Sequence, residues 1–152
     1  MSDRLSHFSA VMTPSLKDIP DCKGKSSLNK IELEELGNVA GKSLLHLQCH
    51  FGMDSMSWTR EGAVVTGVDL SDEAIILAKD INTELQLNTE FICSNVYDLK
   101  KNLDKKFDIV FTSYGTIGWL PDLDKWAAIV SHFLKEGGIF YIADFHPVIW
   151  MF

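Results

Sequence analysis

The stretch SLLHLQCHFGMDSMSWTREGAVVTGVDLSDE, residues 43–73, contains the pattern that decides the fold. It opens with a short apolar run, Ser43–Gln48, which predicts a buried strand, and a β-branched run, Ala63–Asp69, predicts a second one. Between them, Asp54–Glu61 is typical of a helix that begins with an acidic residue and is stopped by Gly62. A strand, a helix and a strand in this order predict two parallel strands joined by a right-handed crossover.

The same alternation continues on both sides of this unit. We predict further strands at Glu90–Cys93, Phe107–Ser113 and Ile139–Asp144, and helices at Ser27–Leu36, Ser71–Gln86 and Leu123–Leu134. Ser27 is expected to cap the first of these helices, Gly37 to follow its end, and Gly137 and Gly138 to end the last one. Because the strands read as continuous apolar runs, helices should cover both faces of the sheet. The pattern predicts a doubly wound, mainly parallel α/β fold, which binds ligands at the carboxyl ends of its strands.

Length and composition fit a single domain that spans residues 1–152. Residues 1–25 lack periodicity and contain two prolines, so we expect an irregular N-terminal arm there. The net charge of -7 argues against a nucleic acid as partner, since proteins that bind one usually carry a basic surface. The three irregularly spaced cysteines, with no signal peptide and no apolar run long enough to span a bilayer, predict a cytoplasmic protein with reduced thiols and no membrane partner.

The end of the second predicted strand carries the strongest candidate for a ligand-binding residue. Asp69 ends the run GVD, 17 residues after Gly52. A carboxylate at this place can accept hydrogen bonds from both ribose hydroxyls of a nucleoside, and the neighbouring Leu70 is included in the expected site. The alternative is that Asp69 caps the following helix, but Ser71 is better placed for that role.

The ends of the third and fourth predicted strands add further candidates. Asn95 is followed by apolar Val96, and such a pair can hold an adenine when the side chain meets the amino group and the backbone meets a ring nitrogen. The alternative for Asn95 is an ordinary turn. Ser113 and Tyr114 follow the fourth strand, and the aromatic faces of Tyr114 and Trp119 could attract a cationic ligand. Trp119 could equally pack in the core beneath the next helix.

The turn after the first strand has a single glycine, Gly52, within residues 44–54. A turn that binds a dinucleotide needs three, so that its backbone can approach a pyrophosphate, and here Gln48 and His50 occupy two of those places. The turn therefore disfavours a nicotinamide-dependent oxidoreductase and is compatible with a nucleoside ligand that has no phosphate.

The same turn could also be interpreted as a metal site, because His46, Cys49 and His50 all coordinate metals well. Neighbouring strand residues point to opposite faces, so these side chains cannot readily converge on one ion. We therefore predict no metal.

Five segments are similar, in order and spacing, to the motifs of the class I S-adenosylmethionine-dependent methyltransferases. They are LLHLQCHFG, GVDLS, SNVYDL, FDIVFTSYG and LKEGGIFYIADFHP, and together they cover about residues 40–147. The first motif departs from the family's D-x-G-x-G-x-G, with His46, Gln48, His50 and Gly52 at its four positions, and resembles a subgroup that has HLQCHFG there. The resemblance implies a Rossmann-like core with strand order 3-2-1-4-5.

The resemblance further implies methyl transfer from S-adenosyl-L-methionine to a small-molecule acceptor, with S-adenosyl-L-homocysteine as product. The residues expected at the cofactor are Gln48, His50, Gly52, Asp54, Asp69, Leu70, Asn95, Val96, Ser113 and Tyr114. Gln48 and His50 would contact the methionine moiety by side chain, where other members use backbone. Positioning of donor and acceptor can supply much of the acceleration. Where the acceptor must lose a proton, His146 is the first candidate for the general base and Tyr114 the second, although His146 is equally compatible with a structural role.

The chain ends at HPVIWMF, shortly after the fifth predicted strand, whereas family members continue with a sixth and a seventh strand. We therefore expect a C-terminally truncated form that lacks these strands and binds the donor better than it turns over. An exposed edge of the fifth strand predicts a homodimer. Two other functions stay open: a non-catalytic module that binds an adenosyl nucleoside and, on weaker grounds, the oxidoreductase.

Overall fold

The structure, a computed structural model, describes residues 25–145. Helices and strands alternate along this part of the chain, except that only a 3₁₀ helix separates the third strand from the fourth. In order they are α1 Lys30–Leu36, β1 Ser43–Leu47, α2 Met53–Arg60, β2 Val64–Asp69, α3 Asp72–Glu84, β3 Glu90–Cys93, β4 Phe107–Thr112, α4 Leu123–Phe133 and β5 Leu134–Ile142. The arm predicted for residues 1–25 lies outside the described residues except for Lys25, and so does the segment HPVIWMF with His146.

The five strands form one parallel sheet in the order β3-β2-β1-β4-β5. This topology confirms both the doubly wound fold class and the strand order that the motifs implied. The order reverses at β1, whose neighbours are β2 and β4, so the carboxyl ends of these three strands form a topological switch point. In sheets of this kind, ligands bind in the crevice outside such a point.

The core lies on both faces of β1, because successive side chains of a strand point to opposite faces. Leu44 belongs to the cluster that contains Trp58 and Phe111, while Leu45 belongs to the cluster that contains Phe107. All of these side chains are fully buried or nearly so. Each buried side chain of this size stabilises the fold by about 1.5–3 kcal/mol, which holds the strand ends, and therefore the site, in place.

Two predicted helix boundaries are wrong. The first helix begins at Lys30, with Asn29 as its N-cap, and the backbone N–H of Asn29 donates to the Glu32 carboxylate. Ser27 contacts α2 instead, since its N–H donates to Ser57 Oγ at 3.0 Å. Gly37 does follow the end of the first helix as predicted.

At the other end of the described residues, α4 ends at Phe133 and β5 starts at once, so Gly137 and Gly138 do not end the helix. They lie within β5, in an irregularity where the register with β4 shifts. Gly137 adopts a φ of +74°, which glycine reaches without the steric cost that a side chain brings. The prediction that this glycine pair ends the helix is therefore wrong, because both glycines lie inside the strand.

Two short 3₁₀ helices were not predicted from the sequence: Val96–Lys101, between β3 and β4, and Ile117–Trp119, between β4 and α4. Both follow a strand at the carboxyl edge of the sheet, and both contribute to the cavities described below. Ser71 caps α3 as predicted, since its hydroxyl accepts from the Ala74 N–H at 3.2 Å. No helix within residues 25–145 has the length and apolar composition to cross a bilayer.

Candidate functional site

Two cavities open at the carboxyl edge of the sheet and meet at the tip of β2. The first, here called the β2–β3 cavity, has a volume of about 450 Å³ and is lined by Gln48, Val68, Asp69, Leu70, Ser94, Asn95, Val96, Tyr97, Trp119, Leu120 and Pro121. The second, the β1–β4 cavity, has a volume of about 540 Å³ and is lined by Gln48, His50, Asp69, Ser113, Tyr114, Gly115, Thr116 and Trp119. Gln48, Asp69 and Trp119 line both, so an elongated ligand could contact all three.

Asp69 is fixed at this junction by two backbone hydrogen bonds. The His50 N–H donates to Oδ2 at 2.7 Å, and the Ser71 N–H donates to Oδ1 at 2.9 Å. Each carboxylate oxygen can accept more than one hydrogen bond, so both keep capacity for a ligand. A pair of adjacent hydroxyls is the group that suits two such oxygens. The helix-cap role considered as the alternative for Asp69 falls to Ser71, as expected, which leaves the Asp69 carboxylate for the cavities.

The turn after β1 has a backbone that usually requires glycine. Gln48 and His50 adopt φ values of +55° and +51°, and Gly52 a φ of +76°. A side chain in this left-handed region costs about 1–2 kcal/mol. Gln48 and His50, which stand where a dinucleotide-binding turn would have glycine, therefore adopt the left-handed conformation that glycine favours, although both carry side chains.

Gly52 is also required by packing. A Cβ atom on Gly52 would lie 2.4 Å from the Phe91 ring, and one on Gly67 would lie 2.8 Å from the same ring. The Phe91 side chain, 6% exposed, thus packs directly against the turn and against β2. Gly67 was not singled out by the sequence, because only the packing of β2 on β3 explains why it is glycine.

Gln48 and His50 use their side chains differently. Trp126 Nε1 donates to Gln48 Oε1 at 3.2 Å, which ties the turn to α4. The His50 ring packs on Phe51 with centroids 4.4 Å apart. Its pKa is lowered by partial burial, which outweighs the opposing effect of Asp69, so the ring is neutral at pH 7.

His46 is a buried polar side chain behind the β1–β4 cavity. Its Nδ1 lies 2.8 Å from Ser55 Oγ and its Nε2 lies 3.3 Å from Ser113 Oγ. Burial lowers its pKa to about 3, so the ring is neutral at ordinary pH. A neutral imidazole donates from one nitrogen and accepts at the other, and the two serines supply both partners.

Metal ligation finds no support in this geometry. The ring nitrogens of His46 are already occupied by hydroxyl groups, and burial raises the pKa of the Cys49 thiol, which disfavours the thiolate that a metal would need. Within the described part of the chain, no group of three His, Cys, Asp or Glu side chains could hold an ion.

Asn95 makes the turn that was considered as its alternative role, and it also lines the β2–β3 cavity. Its Oδ1 accepts from the Tyr97 N–H at 3.0 Å, which caps the 3₁₀ helix Val96–Lys101. The carboxamide therefore has a fixed orientation. Val96 is 9% exposed and contributes an apolar surface beside it.

Tyr97 holds the opposite wall of that cavity and was missed in the sequence analysis. Its hydroxyl donates to the Asp122 carbonyl at 3.1 Å and accepts from the Asp122 N–H at 3.3 Å. The segment before Asp122 contains Leu120 and Pro121, which line the cavity. Trp119 is 67% exposed, so the interpretation that it packs in the core is wrong.

The β1–β4 cavity has an aromatic wall at the end of β4. The Tyr114 ring lies 5.5 Å from the Phe145 ring, centroid to centroid. The Gly115 N–H donates to Asp144 Oδ1 at 3.1 Å, which joins the loop after β4 to the residues after β5. Ser113 lines this cavity as predicted for the edge of the sheet. His146, the other predicted base, lies outside the described residues.

A smaller cavity of about 190 Å³ lies at the start of α2 and is lined by Cys49, His50, Phe51, Gly52, Met53, Asp54 and Ser113. Asp54 stands in the first turn of α2, and its carboxylate accepts from the Ser27 hydroxyl. Burial raises the pKa of Asp54, and the hydrogen bond from Ser27 opposes this shift. The structure thus brings His50, Gly52, Asp54 and Ser113 together, as the sequence predicted.

The chain is similar to known methyltransferases in sequence. Residues 45–142 match a family model described as "Methyltransferase domain". The chain is 31% identical over 106 residues to the ubiquinone biosynthesis O-methyltransferase of Coxiella burnetii, which covers 70% of this chain and 44% of that protein. It is 31% identical over 131 residues to an uncharacterized methyltransferase of Synechocystis sp., which covers 85% of this chain and 59% of that protein. The chain thus spans about half the length of these relatives.

Solved structures show the same similarity. The plantazolicin methyltransferase BamL, solved with a triazolic desmethylPZN analogue and SAH, superposes with a TM-score of 0.61 at 28% identity, covering 70% of this chain and 39% of that one. A methyltransferase of Clostridium acetobutylicum superposes with a TM-score of 0.65 at 24% identity, covering 91% of this chain and 56% of that one. The second similarity concerns the fold alone.

Proposed function

Because the chain belongs to the methyltransferase-domain family, whose model matches residues 45–142, we propose that it binds S-adenosylmethionine and acts as a methyltransferase on a small molecule. The site at the carboxyl edge of the sheet would hold the donor. Since the chain spans about half the length of the relatives it matches, the reaction and the acceptor of the whole protein are part of this proposal.

The position of the Asp69 carboxylate carries the proposal. It lies where the two large cavities meet, and both of its oxygens are oriented by backbone N–H groups. A ribose would place its two hydroxyls on these oxygens, with its base in one cavity and its 5′ substituent in the other. Hydrogen bonds to a charged group contribute about 1.5–3 kcal/mol each, so this contact alone can dominate affinity.

The adenine would occupy the β2–β3 cavity. Val96 and Leu70 offer apolar surface to the ring, and the second lone pair of Asn95 Oδ1 could accept from the amino group. The apolar side chains of Leu120 and Pro121 close the cavity from the other side. A cavity of this kind, largely apolar with a few fixed polar groups, is typical of sites for small molecules.

The methionine part would extend towards the start of α2. Gly52, His50 and Ser113 line the smaller cavity there, and the Asp54 carboxylate offers an acceptor for an ammonium group. A pyrophosphate would need to approach the backbone of the turn closely, and the side chains of Gln48 and His50 occupy that space. The crowded turn therefore favours this donor over a dinucleotide.

When bound, S-adenosylmethionine supplies a methyl group on a positively charged sulfur, and the neutral thioether is a good leaving group. The chain's own task is then to orient the reactants and to exclude water. Tyr114 and Trp119 border the β1–β4 cavity, where their aromatic faces can attract a cation by about 1 kcal/mol. Tyr114 would lie nearest to an acceptor in this cavity, and it and His146 remain the proposed proton acceptors. Positioning of this kind accounts for much of the acceleration in two-reactant steps.

The proposed acceptor is a small molecule and not a nucleic acid. The net charge of -7 disfavours a polyanionic partner. A relative of similar sequence is named a ubiquinone biosynthesis O-methyltransferase, which supports an acceptor of low molecular weight. A cytoplasmic location is part of the same proposal, on the grounds of the three irregularly spaced cysteines.

A homodimer through β5 also remains a proposal. Within the described residues, β5 pairs with β4 along one side, and its other side pairs with no strand. An unpaired strand edge can pair with a second copy. Solution scattering at several concentrations tests this: a mass that doubles as concentration rises supports the dimer, and a constant monomer mass contradicts it.

Calorimetric titration tests the proposed function. S-adenosylhomocysteine, the inert product, should bind with a stoichiometry of one, and NAD should give no heat at the same concentrations. Stronger binding of NAD would indicate the oxidoreductase, and no binding of S-adenosylhomocysteine would contradict the proposal. Binding without methyl transfer by the whole protein to any small acceptor would favour the non-catalytic module.

A further inference from the structure

The hydrogen bond between Trp126 and Gln48 fixes which way the glutamine carboxamide faces. An indole N–H can only donate, so the atom that lies 3.2 Å from Trp126 Nε1 must be the carboxamide oxygen. The opposite atom, Nε2, therefore carries two N–H donors whose direction is set by the buried tryptophan. Trp126 is 6% exposed and packs in the core, so it is a rigid support.

Within residues 25–145, Gln48 Nε2 has no hydrogen-bond partner, and the Gln48 side chain lines the cavities. Trp126 belongs to the same core cluster as Val68 and Val96, both of which line the β2–β3 cavity. The carboxamide is therefore anchored beneath the cavity proposed for the nucleoside. The other polar groups at this junction include the Asp69 carboxylate, which only accepts hydrogen bonds, so Gln48 supplies the complementary donors.

We propose that Gln48, oriented by Trp126, binds the nucleoside half of the donor by donating from Nε2 to one of its hydrogen-bond acceptors. This inference rests on the proposed function and deepens it, since it names a second polar contact to the nucleoside besides Asp69. It differs from the sequence-based expectation, in which the Gln48 side chain contacts the methionine moiety. Trp126 acts in this proposal as a positioning residue.

The backbone of the turn gives no reason for a glutamine at this position. Gln48 has a φ of +55°, where glycine carries no steric cost, so the turn itself would form more easily without the side chain. Gln86 offers a matched control in the same chain. It is a glutamine with a φ of +54°, but it is exposed in the turn after α3 and lines neither of the two large cavities.

The test replaces each glutamine by glutamate. Gln48→Glu keeps the side-chain shape and an oxygen for Trp126, but it removes the two donors, whereas Gln86→Glu adds the same charge elsewhere. The ligands are S-adenosylhomocysteine and 5′-methylthioadenosine, which has the nucleoside and the sulfur but no amino-acid part. We expect Gln48→Glu to bind both ligands about tenfold more weakly, since one hydrogen bond is lost, and Gln86→Glu to bind both as the wild type does.

Several outcomes would overturn the inference. Equal affinity of Gln48→Glu and wild type would show that the carboxamide donates to no ligand atom. A loss with S-adenosylhomocysteine alone would assign the contact to the amino-acid half. If the wild type bound neither ligand, the proposed function itself would fail. Failure of this inference alone would leave wild-type binding intact, so the two failures are distinguishable.

Two further measurements separate ligand contact from a structural role. The indole N–H resonance of Trp126, assigned with Trp126→Phe, should keep the chemical shift of a hydrogen-bonded proton in Gln48→Glu. The thermal midpoint of Gln48→Glu should match that of Gln86→Glu. Trp126→Phe should lower the affinity for both ligands about threefold, because the Gln48 carboxamide is then free to rotate. Unchanged affinity in Trp126→Phe would remove the positioning role. A large fall of the thermal midpoint in Gln48→Glu alone would indicate that the glutamine serves the fold and overturn the inference.

Discussion

The backbone N–H of His50 donates to the Asp69 carboxylate at 2.7 Å, so the turn after β1 holds the carboxylate at the tip of β2. His50 lies in the turn after β1 and Asp69 ends β2, and the carboxyl ends of these adjacent parallel strands meet at the switch point of the sheet. His50 adopts a left-handed backbone in this turn, so the carboxylate is held by a residue whose own conformation is unusual. The position of a bound ribose would depend on both.

Removal of the Asp69 carboxylate should abolish most donor binding. Asp69→Ala deletes both proposed ribose contacts, and the loss of two charge-assisted hydrogen bonds predicts at least about a hundredfold weaker binding of S-adenosylhomocysteine. Calorimetry well below the thermal midpoint measures this. Asp80→Ala, on the exposed face of α3, is the matched control and should bind normally. A variant at Asp69 that binds like the control would disprove the ribose contact.

Substitution of Gly52 should destabilise the fold through Phe91. Gly52→Ala places a Cβ atom 2.4 Å from the Phe91 ring at a φ of +76°, and we expect a loss of about 3 kcal/mol in the free energy of unfolding. Gly41→Ala shares the left-handed backbone, with a φ of +75°, but has no atom within 4 Å, so it should lose only about 1 kcal/mol. Urea unfolding compares the two. Equal losses of stability in the two variants would contradict the prediction and show that the Phe91 ring moves aside at little cost. If the ring resists, Phe91→Leu should partly restore the stability of Gly52→Ala.

The buried His46 predicts a specific acid sensitivity. Its pKa is about 3 in the folded protein and 6.5 when unfolded, so below pH 6.5 the unfolded state binds a proton that the folded state does not. This contribution to stability therefore falls by about 1.4 kcal/mol for each pH unit between about pH 6.5 and 3.

The prediction is tested by the difference between wild type and His46→Gln, because buried carboxyl groups add their own pH dependence. Urea unfolding at pH 7 and pH 5 should show a smaller loss in the variant. His132→Gln, exposed on α4, provides the control substitution. If wild type and His46→Gln lost stability in parallel, the buried neutral ring would be ruled out as the cause.

The Tyr97 hydroxyl should matter for the wall of the β2–β3 cavity. Tyr97→Phe removes both hydrogen bonds to the Asp122 backbone, which costs about 1–2 kcal/mol of stability and loosens the segment that carries Leu120 and Pro121. We expect the affinity for adenosine to fall severalfold. The measurement is competition between adenosine and S-adenosylhomocysteine for the same site. Unchanged competition would show that the wall is held by packing alone.

The sequence predicted those parts of the fold that depend on local pattern. The alternation of apolar runs and helical spacing identified all five strands. Asp69, Asn95 and Ser113 were placed at the correct edge because each lies at the end of a strand or within two residues after it. The parallel topology then brings these residues together without further information. The motif resemblance supplied the strand order.

The parts that were missed depend on contacts between distant residues. Tyr97 holds Asp122, and Gly67 admits the Phe91 ring, and neither relation has a local signal. The break at Gly137 was assigned to the helix because a glycine after an apolar helical run usually ends it, whereas here the strand begins first and the glycines accommodate its register shift. Ser27 was assigned as a cap because serine is favoured just before a helix, although its partners lie on α2.

A crystal structure of the protein with S-adenosylhomocysteine tests the central claim most directly. We predict that the two ribose hydroxyls lie within about 2.5–3.0 Å of the two Asp69 carboxylate oxygens, with the adenine in the β2–β3 cavity beside Val96. A nucleoside bound elsewhere, or a ribose turned away from Asp69, would contradict the account.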